Sequence, residues 1–213
     1  MTQPRYIVVE GPIGVGKSSL VRMLGERLDA RMIFEQVEEN PFLEGFYRDP
    51  RKYAFQAQLF FLLSRYGQQR ELVQQELFAQ HTVSDYLFAK DRIFAYLNLT
   101  EHELALYERI YRLLEIEVAK PDLVVFLVAD PKVLLKRIRI RNHPYEQRLG
   151  LEYLEQLTNA YSKFFFAYDE SPLLVVNTSR MDFVNNPRDF DALMSEIENH
   201  TKGTKHFIPL GSR

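Results

Sequence analysis

The sequence predicts an α/β fold, a five-stranded parallel sheet flanked by helices in a three-layer sandwich, with a lid segment over one end. Three observations predict it. Five short apolar runs alternate with long stretches of helical period, the first run ends on a cluster of glycines that opens a helix, and every run gives way to polar or loop-forming residues.

The runs are Tyr6-Val9, Met32-Phe34, Thr82-Ser84, Leu123-Val128 and Leu173-Val176, rich in β-branched or aromatic residues. Their exits are Glu10-Gly11, Glu35, Asp85, Asp130-Pro131 and Asn177-Thr178, and in an open parallel sheet such exits face one crevice. Between them Lys17-Leu28, Arg51-Phe78, Glu101-Val118, Pro131-Arg141, Leu151-Tyr168 and Asp189-Glu198 read as helices, with Pro50, Pro131 and Pro187 marking starts. No repeat or composition shift marks a boundary, so residues 1–200 read as a single domain. Residues 201–213 mix Gly, Pro and Lys without period and read as a loose tail.

Composition narrows the function. The chain has 213 residues, 46% of them hydrophobic, enough to bury a core without covalent staples. Cysteine is absent, which excludes disulfides and thiolate metal sites, and His81, His102, His143, His200 and His206 show no ligand spacing. With 27 Lys+Arg against 29 Asp+Glu the net charge is −2, which argues against a nucleic-acid binder held by phosphate neutralisation. No apolar run reaches the roughly 18 residues of a membrane span, and no secretory or transit pattern precedes the first strand, so a cytoplasmic location is expected.

Glycine is scarce at nine residues, yet three of them fall within Gly11-Pro12-Ile13-Gly14-Val15-Gly16-Lys17-Ser18. That stretch fits G-x-x-x-x-G-K-[ST], directly after a strand and opening a helix, the context of a P-loop. Glycine lets backbone N–H groups turn inward around phosphate oxygens, and the helix N-terminus adds partial positive charge. Lys17 then reaches the β- and γ-phosphates, the Ser18 hydroxyl is placed for Mg²⁺, and Ser19 completes the nucleotide-binding stretch. The expected fold is therefore of the P-loop NTPase type. The D-x-x-G switch and N-K-x-D guanine reader of a GTPase do not occur.

Glu35 and Asp85 leave neighbouring strand runs, so two carboxylates are expected beside the P-loop, one accepting a hydroxyl proton and one orienting Mg²⁺. In Arg51-Phe78 the segment from Phe55 to Arg65 is apolar on nearly every side, which predicts a buried helix. Gln58 and Arg65, seven apart, share one of its faces. Buried, they need partners; a planar hydrogen-bonding base is one, and an internal acid such as Asp91 is another. Near Lys136-Arg137-Ile138-Arg139-Ile140-Arg141 the helix end is basic, with Arg137 and Arg141 on one face, suited to a lid closing on polyphosphate or to a solvated helix terminus.

Across Tyr6 to about Phe190 the residues resemble the deoxynucleoside kinases. The resemblance is carried by the P-loop, by Asn40-Pro41-Phe42-Leu43 with Phe46-Tyr47-Arg48-Asp49-Pro50, by the Gln58 to Arg65 helix, and by Arg141 to Leu154. It implies that Glu35 takes the proton of the sugar 5′-hydroxyl, that Tyr47 and Glu146 hold the 3′-hydroxyl, and that Gln58, Arg65 and Asp91 recognise the base. It further implies that Arg137 and Arg141 are lid arginines over the phosphates, that Asp182-Phe183 lines the donor adenine, and that the protein is a homodimer built from its helices. Where the family carries an acidic residue followed by Arg and Ser, this chain has Asp85-Tyr86-Leu87. The work of that Arg then falls to Arg92, Arg139 or another lid residue.

The expected reaction is ATP- and Mg²⁺-dependent phosphorylation of a deoxyribonucleoside 5′-hydroxyl, deoxyadenosine or deoxyguanosine first and deoxycytidine next. A charged Arg65–Asp91 pair suits amino-bearing bases, because Asp accepts from an exocyclic amine and Arg donates to a carbonyl. The sequence leaves two alternatives open: a monophosphate kinase of thymidylate-kinase type, and a nucleotide-sensing module that has lost its chemistry.

Overall fold

A computed structural model describes residues 4–75, 81–143 and 146–209. Among these described residues six parallel strands form one sheet in the order β2-β3-β1-β4-β5-β6. They are β1 (Tyr6–Glu10), β2 (Arg31–Ile33), β3 (Thr82–Ser84), β4 (Leu123–Val128), β5 (Leu173–Asn177) and β6 (Thr204–Phe207). The five expected strands are present within a residue or so of their expected ends. The sixth corrects the expectation of a loose tail: β6 pairs in parallel with β5, Leu173 against Thr204 through Val176 against Phe207. Residues 210–213 of that tail lie outside the described residues.

The helices are α1 (Lys17–Leu28), α2 (Leu43–Arg48), α3 (Pro50–Gln75), α4 (Asp91–Asn98), α5 (Glu101–Leu114), α6 (Pro131–Arg141), α7 (Leu151–Phe166) and α8 (Pro187–Asn199). The three prolines do start helices: Pro50 opens α3, and Pro131 and Pro187 follow the side-chain caps Asp130 and Asn186. Thr100 and Glu103 form a reciprocal capping box that starts α5. The expected end of α3 at Phe78 lies outside the described residues.

Alternation along the strands divides the core into two layers. Ile7 and Val9 face α1, α6 and α8 through Leu20, Leu24, Leu134, Ile138, Leu193 and Ile197. Tyr6 and Val8 face the opposite layer, where Phe126 packs with Leu72 of α3, Ile93 of α4, and Tyr161 and Phe165 of α7. Helix α5 adds Tyr107 and Tyr111 to a satellite cluster with Leu62 and Phe88. Helix α3 is not buried all round as its sequence predicts. Its buried stripe runs Ala54, Gln58, Leu62, Arg65, Gln69 and Leu72, while Leu63 is half exposed. No helix among the described residues is long and apolar enough to cross a membrane.

Candidate active site

The sheet reverses its order at β1, with β3 on one side and β4 on the other, so the loop after β1 opens into the crevice at that switch point. That loop is the glycine-rich stretch. Gly14 has φ +82°, and a Cβ there would lie 2.8 Å from Ile138 Cγ1 and 3.0 Å from the Leu134 carbonyl oxygen. The loop is thus pressed against α6, and only glycine combines that conformation with that approach. Lys17, first residue of α1, donates from Nζ to the Gly11 carbonyl at 2.8 Å and to that of Pro12 at 3.4 Å. Burial, and then neighbouring Lys90, hold its pKa below the ordinary lysine value.

A cleft of about 500 Å³ opens from this loop toward α3 and the lid. Asp85 joins its two halves: Oδ2 accepts from Ser18 Oγ at 2.7 Å, and Oδ1 accepts from the backbone N–H of Glu35 at 2.7 Å. Glu35 is itself held by two cations. Arg65 Nε donates to its Oε1 at 2.8 Å, with Nη2 on the same oxygen, and Lys90 Nζ donates to its Oε2 at 3.0 Å. Burial works to raise the Glu35 pKa, but Arg65 and Lys90 outweigh it and hold the carboxyl far below the usual carboxylate range.

Behind this layer, Asp91 is fully buried at the start of α4. Gln58 Nε2 donates to its carbonyl at 2.8 Å and to its Oδ2 at 2.7 Å, Tyr107 donates to Oδ2 at 2.6 Å, and Arg65 Nη1 pairs with Oδ1. The Asp91 carboxylate is therefore consumed by protein donors. Of the expected base-recognition set it is Gln58 and Arg65 that line the cleft, while Asp91 fixes both from behind. With both Gln58 N–H groups turned to Asp91, Oε1 remains as an acceptor. Aromatic rings of Phe34, Phe46, Phe61 and Phe94 complete the walls, the Arg65 guanidinium lying 5.1 Å from the Phe61 ring centroid.

Tyr47 and Glu146 both line the cleft, Tyr47 from α2. Arg141, last residue of α6, places Nη2 at 2.6 and 2.5 Å from the two carboxylate oxygens of Glu146. The other expected lid arginine behaves differently. Arg137 donates to the Val15 carbonyl at 3.2 Å, to Thr178 Oγ1 at 3.2 Å and to the Thr178 carbonyl at 2.9 Å. Burial lowers its pKa and nearby Asp182 opposes that. The Phe183 ring lies against Gly16, its Cζ 3.1 Å from where a Cβ would stand. Arg137, Asp182 and Phe183 thus form a second group on the outer side of the P-loop, apart from the Glu35 cleft.

Neither Arg92 nor Arg139 takes the place of the missing arginine. Arg92 pairs with Glu108 at 3.0 Å beside Tyr96 and Tyr111, and Arg139 is exposed on the outer side of α6 with Lys132 and Lys136. Tyr86 is buried in the core layer behind the site, where burial raises its pKa. Besides Arg65, the cation that stands by Glu35 is Lys90, missed in the sequence together with its second partner Glu10 at 3.4 Å. A lysine just before Asp91, and an acid ending an otherwise apolar strand, were the signals that could have found them.

Such a site on such a sheet defines a phosphotransferase of the P-loop class: a phosphate cradle, a hydroxyl–carboxylate pair, and an ionised carboxylate held across the cleft. The family model described as deoxynucleoside kinase matches residues 7–202. The chain is 36% identical over 203 residues to the deoxyguanosine kinase of Bacillus subtilis, covering 93% of this chain and 98% of that protein. It is 31% identical to a deoxyguanosine kinase of Lactobacillus acidophilus, covering 92% and 90% of the two chains. The deoxyadenosine kinase of M. mycoides, solved with dCMP and a flexible dCDP bound, superposes with a TM-score of 0.77 at 25% identity, covering 90% of this chain and 98% of that one. The chain belongs to the deoxynucleoside kinase family, and its reaction is phosphorylation of a deoxynucleoside at the 5′-position.

Proposed function

We propose that the chain transfers the γ-phosphoryl group of ATP to the 5′-hydroxyl of a purine deoxyribonucleoside, with deoxycytidine as the next choice. The observation that carries this reading is the pair of hydrogen bonds accepted by the Asp85 carboxylate, one from the Ser18 hydroxyl of the cradle and one from the backbone N–H of Glu35. The phosphate-binding loop and the acceptor's base are thereby held at one fixed separation, and phosphoryl transfer depends chiefly on such positioning.

In this reading the P-loop amides and Lys17 hold the triphosphate, and Arg137, Asp182 and Phe183 lie against the donor base beside Gly16. Ser18 and Asp85 are a hydroxyl and a carboxylate, hard oxygen donors of the kind Mg²⁺ accepts alongside phosphate oxygens. Mg²⁺, when bound, neutralises charge on the β- and γ-phosphates.

Glu35 receives the 5′-hydroxyl as a hydrogen-bond donor and takes its proton as the new P–O bond forms and the bond from the γ-phosphorus to the β–γ bridging oxygen breaks, ADP leaving. Arg141 stabilises charge on the transferring group, while Tyr47 and Glu146 hold the 3′-hydroxyl. Gln58 Oε1 accepts from an exocyclic amine, and the Phe rings enclose the base. A monophosphate acceptor would need a free cation on this face, and the Arg65 guanidinium is already divided between Glu35 and Asp91. Relatives named for deoxyguanosine and deoxyadenosine favour a purine, and the exposed Leu63, Tyr96, Leu106 and Leu113 on α3, α4 and α5 support a homodimer through those helices.

The test is Glu35→Gln. Turnover should fall by about two to four orders of magnitude with deoxynucleoside affinity retained, and full turnover would remove Glu35 from the mechanism.

A further inference from the structure

We propose that Lys90 is the positioning residue of the acceptor site, the cation that fixes the Glu35 carboxylate toward the 5′-hydroxyl and ties it to the phosphate cradle. The inference rests on the reading of Glu35 as the base. Lysine is almost never fully buried unless paired, and Lys90 is 2% exposed. It ends a short 3-10 turn, Phe88–Lys90, and immediately precedes α4, so its backbone is anchored where Asp91 anchors the base wall.

Two carboxylates flank its ammonium, Glu35 at 3.0 Å and Glu10 at 3.4 Å. Glu10 has no exposure, and its oxygens also accept from the Gly11 N–H at 2.7 Å and the Leu87 N–H at 3.0 Å. A chain of contacts therefore runs from the first P-loop glycine through Glu10 and Lys90 to Glu35. Arg65 grips only Oε1 of Glu35, which leaves the carboxylate free to pivot about that oxygen. Lys90 on Oε2 removes that freedom. Two-point fixation of a carboxylate sets its plane as well as its place, which a reaction governed by in-line geometry requires.

Simple neutralisation of Glu10 is the competing role, and the two roles separate in a double variant. Lys90→Met strands a buried carboxylate, so that variant alone confuses folding with catalysis. Glu10→Gln combined with Lys90→Met removes both charges, and the amide oxygen keeps one of the two backbone N–H contacts to Gly11 and Leu87. The purified full chain would be compared by thermal unfolding and by steady-state kinetics with ATP and deoxyguanosine. We expect the double variant to recover part of the thermal stability lost in Lys90→Met while kcat stays about 50- to 100-fold down, with both KM values within about threefold of wild type. Lys90→Arg should return kcat to within about tenfold.

A double variant with wild-type kcat would overturn the proposal, as would Lys90→Arg as impaired as Lys90→Met in a folded protein. Glu35→Gln, measured alongside, tells the two failures apart. If it keeps full turnover, the reading of Glu35 falls; if it is inactive while the double variant is active, only the role of Lys90 falls.

Discussion

Arg141 and Glu146 are paired with each other in this structure, Nη2 within 2.6 Å of both carboxylate oxygens, although the proposed mechanism assigns one to the phosphates and the other to the sugar. The proposed phosphate and sugar contacts thus meet at one ion pair. Glu146→Gln should weaken recognition of the 3′-hydroxyl. A charge-assisted hydrogen bond contributes about 1.5–3 kcal/mol, so discrimination between a deoxynucleoside and its 2′,3′-dideoxy analogue should fall by about 10- to 100-fold in kcat/KM. Unchanged discrimination would place Glu146 outside the sugar site.

Arg65 bridges the buried carboxylate of Asp91 and the part-buried one of Glu35, and should matter to both stability and base choice. Its side chain is 5% exposed, and Arg65→Met leaves Glu35 and Asp91 without their shared partner. Removing one member of a buried ionic group costs about 3–5 kcal/mol, which chemical denaturation would read directly. Replacing Asp91 as well, in Arg65→Met/Asp91→Asn, should recover part of that loss and alter the relative use of the four deoxynucleosides. A uniform loss across all bases would mean the pair is purely structural.

Gly14→Ala tests the cradle. The added methyl meets Ile138 at 2.8 Å in a backbone conformation that L residues rarely adopt. Strain of about 1–3 kcal/mol should appear as ATP affinity weakened by about 5- to 100-fold, measured by calorimetric titration, with deoxynucleoside affinity held. Equal loss of both affinities would show that the loop also shapes the acceptor side.

The strand β6 gives a prediction free of the active site. Phe207 packs against the core, and β6 covers the outer edge of β5. Truncation after His200 should remove about 2 kcal/mol, lowering Tm by about 4–8 °C with KM values unchanged. An unchanged Tm would mean that the segment contributes nothing to the sheet.

The parts legible in the sequence were those where local signals agree with tertiary packing. Helices α1 and α6 begin and end where expected because Gly16-Lys17 and Asp130-Pro131 mark their starts, and Asp29 and Asn142, both in left-handed conformation, mark their ends. The missed strand β6 reads Thr-Lys-His-Phe and is exposed over its first three residues, so an edge position leaves no apolar alternation to find. Helix α4 went unseen because Lys90 precedes it without a side-chain cap. Spacing brought Gln58 and Arg65 to one face, and both line the cleft, but it could not say that Asp91 would be spent holding them. Arg137 and Arg141 are likewise one turn apart on α6, yet one is anchored to Val15 and Thr178 and the other reaches Glu146. That division depends on which loops surround each end of the helix. Lys90 was hidden for a similar reason, since its meaning comes from Glu10 and Glu35, which lie far from it in sequence.

The proposed activity of the cleft is phosphorylation of a deoxynucleoside, and of a purine first. Its most direct test is steady-state phosphorylation of deoxyadenosine, deoxyguanosine, deoxycytidine and thymidine, of their ribose counterparts and of their 5′-monophosphates, with ATP and Mg²⁺. The expected result is turnover of deoxynucleosides with the highest kcat/KM for a purine, weak use of ribonucleosides, and none of the monophosphates. Preferential use of a monophosphate, or thymidine as the best acceptor, would contradict it.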